Sequence, residues 1–175
     1  HVLPEEVVSS ESLEDRLAPV YARLRLRPGR LELMSGIRER RFWEPGTRPS
    51  DAAARAGERA LEGAGLPPGK LGLLVHGAVS RDFLEPATAA RVHALLALAP
   101  SCAFFDLSNA CLGLLSGIEV AASQIELGAI EAALVVSGED GRGLVEETLA
   151  GLLAHPGDDA SLRTALKLAF ASLTI

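Results

Sequence analysis

A cysteine at the junction of a strand and a helix is the residue of this sequence best suited to chemistry. Cys111 follows the predicted strand 103–107 through the short link Ser108-Asn109-Ala110, and it opens a long helical pattern that Gly128 closes. The first turn of a helix presents unpaired backbone N–H groups and partial positive charge, which favour a thiolate and can bind an oxyanion. The pattern makes Cys111 a candidate nucleophile, although from the residues alone a lone cysteine on a helix is more often a small core residue.

The other reactive side chains give weaker signals. Cys102 follows Pro100 with no helix start behind it, and His76 ends an apolar run while His93 falls in mid-helix. We expect both histidines to be structural or exposed. No Cys/His spacing typical of a metal site, no P-loop and no complete dinucleotide-binding glycine motif occurs in the sequence. The sequence thus indicates thiol chemistry without a metal or cofactor.

The elements that must position Cys111 alternate between extended and helical patterns. Strand patterns lie at 71–75, 103–107 and 132–136, the first and third of them fully apolar, and helical patterns lie at 10–24, 51–64, 86–98, 111–127 and 143–153. This order predicts an α/β fold with parallel strands and right-handed crossovers. The final run 171–175 is β-prone and uncapped, and the chain opens on His1, so we expect a piece of a larger protein.

Composition excludes several classes of protein. The 175 residues include 48% hydrophobic residues, enough for an ordinary core, and a net charge of −6 argues against nucleic acid as a partner. Two cysteines cannot form a disulfide framework, which favours a reducing cytoplasm. Apolar runs are too short for a membrane span.

Three segments together resemble the thiolase-fold ketoacyl synthase III enzymes. They are Phe105–Gly113 with Gly117 and the run 133–139, then Ser35–Arg41, then Ser50–Ala53. The resemblance covers nearly the whole chain. It implies a thiolase-like α/β fold, a parallel-rich mixed sheet with helices on both faces, of which residues 1–175 form the N-terminal, nucleophile half. The C-terminal half would lie outside this chain.

A narrower resemblance comes from Val79–Pro86 and Ser108–Cys111, which place Glu85 and Cys111 26 residues apart. These motifs are similar to those of the subgroup that joins two long-chain fatty acyl-CoA molecules head to head for olefin biosynthesis. The resemblance implies that Cys111 carries the acyl group, with its backbone N–H as an oxyanion donor. It also implies that Glu85, reaching in from the partner of a homodimer, is the general base of a Claisen condensation giving a β-keto product. From the residues alone, Glu85 could instead cap a helix beginning at Pro86.

The resemblance also implies that a downstream histidine and asparagine complete the site, so this chain alone would be inactive. Arg38, Arg40 and Arg41 could meet the phosphates of CoA, although a basic run near a turn also fits a solvated face. No aromatic residue precedes Ser35 where many relatives stack adenine, and Trp43 could substitute or simply pack.

Two rival functions are also compatible with the sequence. The first is a decarboxylating 3-oxoacyl-[acyl-carrier-protein] synthase III, which would use an acyl carrier protein and ignore Glu85. The second is a non-catalytic thiolase-like subunit, which has no need of a reactive thiol such as Cys111.

Overall fold

The computed structural model describes residues 1–173, which divide into two compact units. The sheet unit consists of His1–Val2 and Pro45–Asp140, and the helix-rich unit consists of Leu3–Glu44 and the chain from Gly141 onward. In chain order the elements are β1 (Glu6–Ser9), α1 (Ser10–Arg16), α2 (Ala18–Leu24), α3 (Arg30–Ser35), β2 (Glu39–Phe42), α4 (Pro49–Ala64), a 3-10 turn (Pro68–Lys70), β3 (Leu73–Gly77), α5 (Thr88–Leu95), β4 (Ala103–Leu107), α6 (Gly113–Glu126), β5 (Ala133–Val136), α7 (Arg142–Leu153) and α8 (Asp159–Leu173).

A three-stranded parallel sheet, in the order β4-β3-β5, forms the centre of the sheet unit. The second predicted strand is confirmed at 103–107, and the third begins one residue later than predicted. The first was predicted at 71–75 and lies at Leu73–Gly77, so His76 and Gly77 belong to the strand. The predicted α/β class with parallel strands is confirmed.

Helices cover both faces of this sheet. Leu74 is fully buried in a cluster with Ala53 of α4 and Ala89 of α5. The neighbouring Val75 points to the opposite face, where it packs with Ala121 of α6. Such alternation explains why the strand is apolar throughout.

The ends of α4 follow its sequence signals, with one exception. The Asp51 carboxylate accepts the N–H of Arg48 at 3.2 Å, and Gly65, at φ 61°, ends the helix in the left-handed region that glycine favours. The exception is Ser50, a residue type that favours the cap position but that here lies inside the first turn, where its side chain binds Asp82.

In the helix-rich unit, helices α1, α2, α7 and α8 share one core, next to the antiparallel pair β1 and β2. The single helix predicted for 10–24 is wrong, since α1 ends at Arg16 and α2 begins at Ala18. Pro19 lies in the first turn of α2, where its missing N–H costs nothing, whereas inside a continuous helix it would remove a hydrogen bond.

The β-prone run predicted for 171–175 is also wrong where it is described. Residues 171–173 continue α8, because Leu162, Leu166 and Leu173 lie on one buried helical face. Thr174 and Ile175 lie outside the described residues. Within residues 1–173, no helix combines the length and apolar character needed to traverse a bilayer.

Candidate active site

Three loops leave the sheet at one edge, because neighbouring parallel strands have their carboxyl ends on the same side. The loop 78–87 follows β3, 108–112 follows β4, and 137–140 follows β5. They carry Glu85, Cys111 and Glu139 respectively. The structure thus places the predicted nucleophile and the predicted base on the loops of two adjacent strands.

Cys111 is exposed in the turn that leads into α6. The turn is closed by hydrogen bonds from the Leu112 N–H to the Asn109 carbonyl, at 2.9 Å, and from the Gly113 N–H to the Ala110 carbonyl, at 3.2 Å. The helix was predicted to begin at Cys111 but begins at Gly113, so the thiol lies two residues ahead of it. An accessible thiol at a helix start is the arrangement that a nucleophile requires.

Glycines allow α6 to approach the sheet closely enough to hold this turn. A Cβ on Gly77 would lie 2.5 Å from the Gly113 carbonyl oxygen, and one on Gly117 would lie 2.7 Å from Val135 Cγ1. Both distances are shorter than real side-chain contacts. The backbone that follows Cys111 is therefore held against the end of β3.

Glu85 is exposed near the tip of the loop 78–87, beside Phe83 and Leu84, which are 52% and 85% exposed. The helix predicted for 86–98 is shorter, since α5 spans Thr88–Leu95. Its first N–H groups, those of Thr88 and Ala89, donate to the Asp106 carboxylate at 2.8 Å each. The alternative role of Glu85 as the helix cap is thus filled by Asp106.

Glu139 and Asp82 tie the loop 78–87 to the rest of the sheet unit. The Glu139 carboxylate accepts the N–H groups of Val79 and Ser80 at 2.8 and 2.9 Å. The Asp82 carboxylate accepts the N–H and the hydroxyl of Ser50 at 2.9 and 2.5 Å. Sequence reasoning assigned neither acid a role, although both follow the carboxyl ends of predicted strands, where parallel sheets gather functional groups.

His76 is buried, with 1% of its surface exposed, and its sequence context had suggested a structural or an exposed residue. Its Nδ1 lies 3.5 Å from Asp106 Oδ1, its register partner on β4. Neither ring nitrogen has a hydrogen-bond partner among the described residues. Burial lowers the pKa of His76, which the nearby carboxylates of Asp106, Glu139 and Asp82 partly oppose. The imidazole is therefore held neutral at the edge of the sheet where the loops meet.

The three arginines predicted to bind substrate lie in the helix-rich unit. For Arg40 the expectation of an exposed guanidinium is wrong, since Arg40 is 7% exposed and donates to Ser10 Oγ at 2.8 Å and to the Val8 carbonyl at 3.3 Å. Burial lowers its pKa. Arg38 and Arg41 are exposed, and Arg41 donates to the Pro4 carbonyl at 3.1 Å.

A cavity of about 560 Å³ also lies in the helix-rich unit. Apolar and cationic side chains line it, and among them are Leu26, Arg30, Met34, Arg163, Lys167 and Phe170. Cys111 and Glu85 are not among its lining residues, so its size alone does not connect it with thiol chemistry.

Comparison with known proteins gives consistent matches. Residues 105–161 match the family model described as 3-oxoacyl-[acyl-carrier-protein] synthase III. The acyl-CoA:acyl-CoA alkyltransferase of Shewanella oneidensis is 47% identical over 150 residues, covering 86% of this chain and 43% of the relative. The enzyme of the same name from Xanthomonas campestris is 37% identical over 95% of this chain and 49% of the relative. The chain spans about half the length of the curated relatives it matches.

Solved structures of Xanthomonas campestris OleA superpose closely on this chain. In one of them, a variant with a glutamate replaced by aspartate, the match covers 99% of this chain and 52% of the OleA chain, with a TM-score of 0.91 at 36% identity. Another solved variant replaces a cysteine by alanine. In that enzyme's numbering the two replaced residues are 26 positions apart, the separation of Glu85 and Cys111 here.

Proposed function

Because this chain belongs to the thiolase-fold ketoacyl synthase III family, we propose that residues 1–175 are the nucleophile half of an acyltransferase that condenses two long-chain fatty acyl-CoA thioesters. One observation carries the proposal. Cys111 is an exposed thiol just before α6, and Glu85, on the loop of the adjacent strand β3, precedes it by the same number of residues that separates the replaced glutamate and cysteine in OleA. The names of the two acyl-CoA:acyl-CoA alkyltransferases support the substrate class.

In the first half of the reaction the Cys111 thiolate attacks the thioester carbonyl of an acyl-CoA. A bond forms between sulfur and the acyl carbon, and negative charge develops on the carbonyl oxygen. The backbone N–H of Cys111 supplies one donor to this oxyanion. The bond to the CoA sulfur then breaks, and CoA leaves as a thiolate that takes up a proton.

In the second half a second acyl-CoA loses a proton from its α-carbon to the Glu85 carboxylate of the partner subunit. The resulting carbanion attacks the acyl group on Cys111, and the cysteine leaves as a thiolate. The β-keto product remains attached to the second CoA. Atoms and electrons balance with the two thioesters alone, so the proposal includes no metal or cofactor.

The proposal also defines partners for this chain. A homodimer brings Glu85 to the partner's Cys111, consistent with the exposed loop tip that carries it. The C-terminal half of the fold would supply the remaining groups. One solved OleA variant has a replaced histidine that lies far downstream of the replaced cysteine. Their separation exceeds the 64 residues that follow Cys111 in this sequence. Arg38 and Arg41 remain candidates for the CoA phosphates, and a reducing cytoplasm suits the free thiol.

A second candidate is a decarboxylating 3-oxoacyl-[acyl-carrier-protein] synthase III. The family model over 105–161 favours it, as does the β-ketoacyl-[acyl-carrier-protein] synthase III of Sphingopyxis alaskensis, 40% identical over 105 residues. In that reaction loss of carbon dioxide from a malonyl group creates the carbanion. No base is needed for an α-proton, and Glu85 would have no role.

Mass spectrometry of the complete protein after incubation with a long-chain acyl-CoA tests the proposal. We expect an acyl adduct on Cys111 that is retained in Glu85→Gln, whereas condensation in Glu85→Gln falls by about 10²- to 10⁴-fold, the usual contribution of a general base. Cys102→Ala is the control and should keep both activities.

Two results would contradict the proposal. If Cys111 of the complete protein carries no adduct, the chain belongs to a non-catalytic subunit. If Glu85→Gln condenses two acyl-CoA molecules at the normal rate, the base is another residue, and faster product formation with a malonyl carrier would favour the second candidate.

A further inference from the structure

We propose that Asp82 is a positioning residue for the condensation, because it anchors the loop that carries Glu85. Asp82 lies three residues before Glu85, and the inference rests on the proposed role of Glu85 as the base. The side chain would act on the reaction only through the place at which it holds the loop.

Asp82 differs sharply in burial from its neighbours. Its side chain is 2% exposed, whereas Arg81, Phe83, Leu84 and Glu85 are all exposed. A charged side chain inside a loop of exposed residues is costly to bury unless it is well paired. Asp82 therefore holds the loop 78–87 to the rest of the sheet unit, while its neighbours in the loop remain exposed.

The pairing comes from the first turn of α4. Both carboxylate oxygens of Asp82 accept from Ser50, one from its N–H at 2.9 Å and one from its hydroxyl at 2.5 Å. Arg91 of α5 donates to the same hydroxyl at 2.8 Å and lies 3.7 Å from the Asp82 carboxylate. Hydrogen bonds to a charged acceptor are among the stronger ones in proteins, so this anchor joins the loop to both α4 and α5.

A second hydrogen bond closes the loop on its far side. The N–H of Asp82 donates to Thr88 Oγ1 at 3.2 Å, and the N–H of Thr88 donates to Asp106 at 2.8 Å. Residues 83–87 therefore form a five-residue tip between two anchored positions, with Glu85 at its centre. On the near side, Glu139 holds the N–H groups of Val79 and Ser80.

Such a tip matters because a base must lie within hydrogen-bond reach of the proton that it removes. A group displaced by about 1 Å can lose on the order of a hundredfold in rate. Acyl transfer to Cys111 does not use Glu85. Loosening the tip should slow condensation while leaving acylation intact, whereas general damage to the sheet unit would slow both.

The test uses the complete protein and three substitutions. Asp82→Asn keeps the volume but loses one acceptor and the charge, and Ser50→Ala removes the hydroxyl donor. In both variants we expect faster amide hydrogen exchange in 83–87, acylation of Cys111 within about twofold of wild type, and condensation at least about tenfold slower. Because the two residues share one set of hydrogen bonds, the double variant should lose less than the two single losses combined.

Glu58→Gln is the matched control. It removes an exposed carboxylate of α4 that lies outside the first turn, where Ser50 binds Asp82. It should leave exchange in 83–87 and the ratio of the two half-reactions unchanged.

Two results would overturn the inference: unchanged exchange in 83–87 in both Asp82→Asn and Ser50→Ala, or an equal fall in acylation and condensation. Ser50→Ala decides the matter if Asp82→Asn does not fold. Glu85→Gln separates this inference from the proposed function. If it condenses normally, both fail; if it is inactive while Asp82→Asn and Ser50→Ala condense normally, only the anchor fails.

Discussion

The imidazole of His76 has no hydrogen-bond partner within residues 1–173, and its Nδ1 lies 3.5 Å from the Asp106 carboxylate. Since burial lowers the pKa of His76 in the folded protein, the unfolded chain binds the proton more readily. In the interval between the folded pKa and the unfolded value of about 6.5, the unfolded state carries more protons, so acid favours unfolding. The contribution of His76 to stability is therefore fully present above the unfolded pKa and is lost as pH falls below it.

This residue predicts a specific pH dependence of stability. In wild type the free energy of unfolding should fall as the pH is lowered from 8 to 5.5. In His76→Gln this decrease should be smaller, as measured by urea titration of the complete protein at each pH. His155→Gln, which removes a partly exposed imidazole, should keep the wild-type slope. Parallel curves for wild type and His76→Gln would contradict the assignment. Asp106, Asp82, Glu139 and Arg81, the charged groups that act on His76, stay unchanged in both variants.

At the level of elements, the packing of α6 on β3 sets where Cys111 lies. A Cβ on Gly113 would lie 3.0 Å from the Gly77 carbonyl carbon and 3.2 Å from its oxygen, and both atoms belong to backbone that cannot rotate away. Any side chain at Gly113 must therefore lift the turn before α6 from the sheet.

Gly113→Ala should destabilise the complete protein by about 1–3 kcal/mol, the usual cost of overpacking, and should slow acylation of Cys111. Gly63→Ala in α4 is the control, since a Cβ there meets no atom of the described part of the chain within 4 Å. It should be neutral or stabilising by up to about 1 kcal/mol because alanine is the better helix former. Thermal unfolding and single-turnover CoA release measure the two effects, and wild-type behaviour in Gly113→Ala would contradict this account.

The elements differ in how well the sequence predicts them. Strands β3 and β5 were predictable because the runs 71–75 and 132–136 are apolar without interruption, whereas β4 contains Asp106 and exposes Phe104 and Phe105. The short antiparallel pair β1 and β2 was not, since Glu39–Phe42 contains two arginines and gives no apolar signal. At 10–24 the regular spacing of apolar residues predicted one helix, although Pro19 favours a break there. At 171–173 the β-propensity of the local residues predicted a strand, although these residues continue the apolar helical face that begins at Leu162.

The candidate site was predictable only where a local pattern carries it. Cys111 was found from the junction of β4 and α6, to within two residues of the helix start. The anchor between Ser50 and Asp82 joins residues 32 apart, and the burial of Arg40 depends on Ser10 from another strand-helix junction. Pairings of this kind arise from tertiary packing, which spacing along one sequence does not encode.

For the whole protein, the proposed exchange of Glu85 between subunits makes the dimer the active unit. Each site would combine Cys111 of one subunit with the base of the other, as two-fold symmetry allows. Two inactive variants, one without the nucleophile and one without the base, should then complement each other in mixed dimers.

Cys111→Ala and Glu85→Gln should each be inactive in condensation, and their mixture should regain activity after subunit exchange. With random exchange, half of the dimers are mixed and each has one intact site, so about a quarter of wild-type activity is expected. A condensation assay before and after exchange measures this. No recovery, with mixed dimers verified by native mass spectrometry, would place both residues in the same subunit's site.

The two thiols of this chain also differ in a way that has practical value. Cys102 is 2% exposed and burial raises its pKa, whereas Cys111 is exposed. A mild alkylating reagent such as iodoacetamide should therefore label only Cys111 of this pair in the folded state and both after denaturation. The labelled fraction of Cys111 then counts intact nucleophiles in any preparation, before a single substrate has been made.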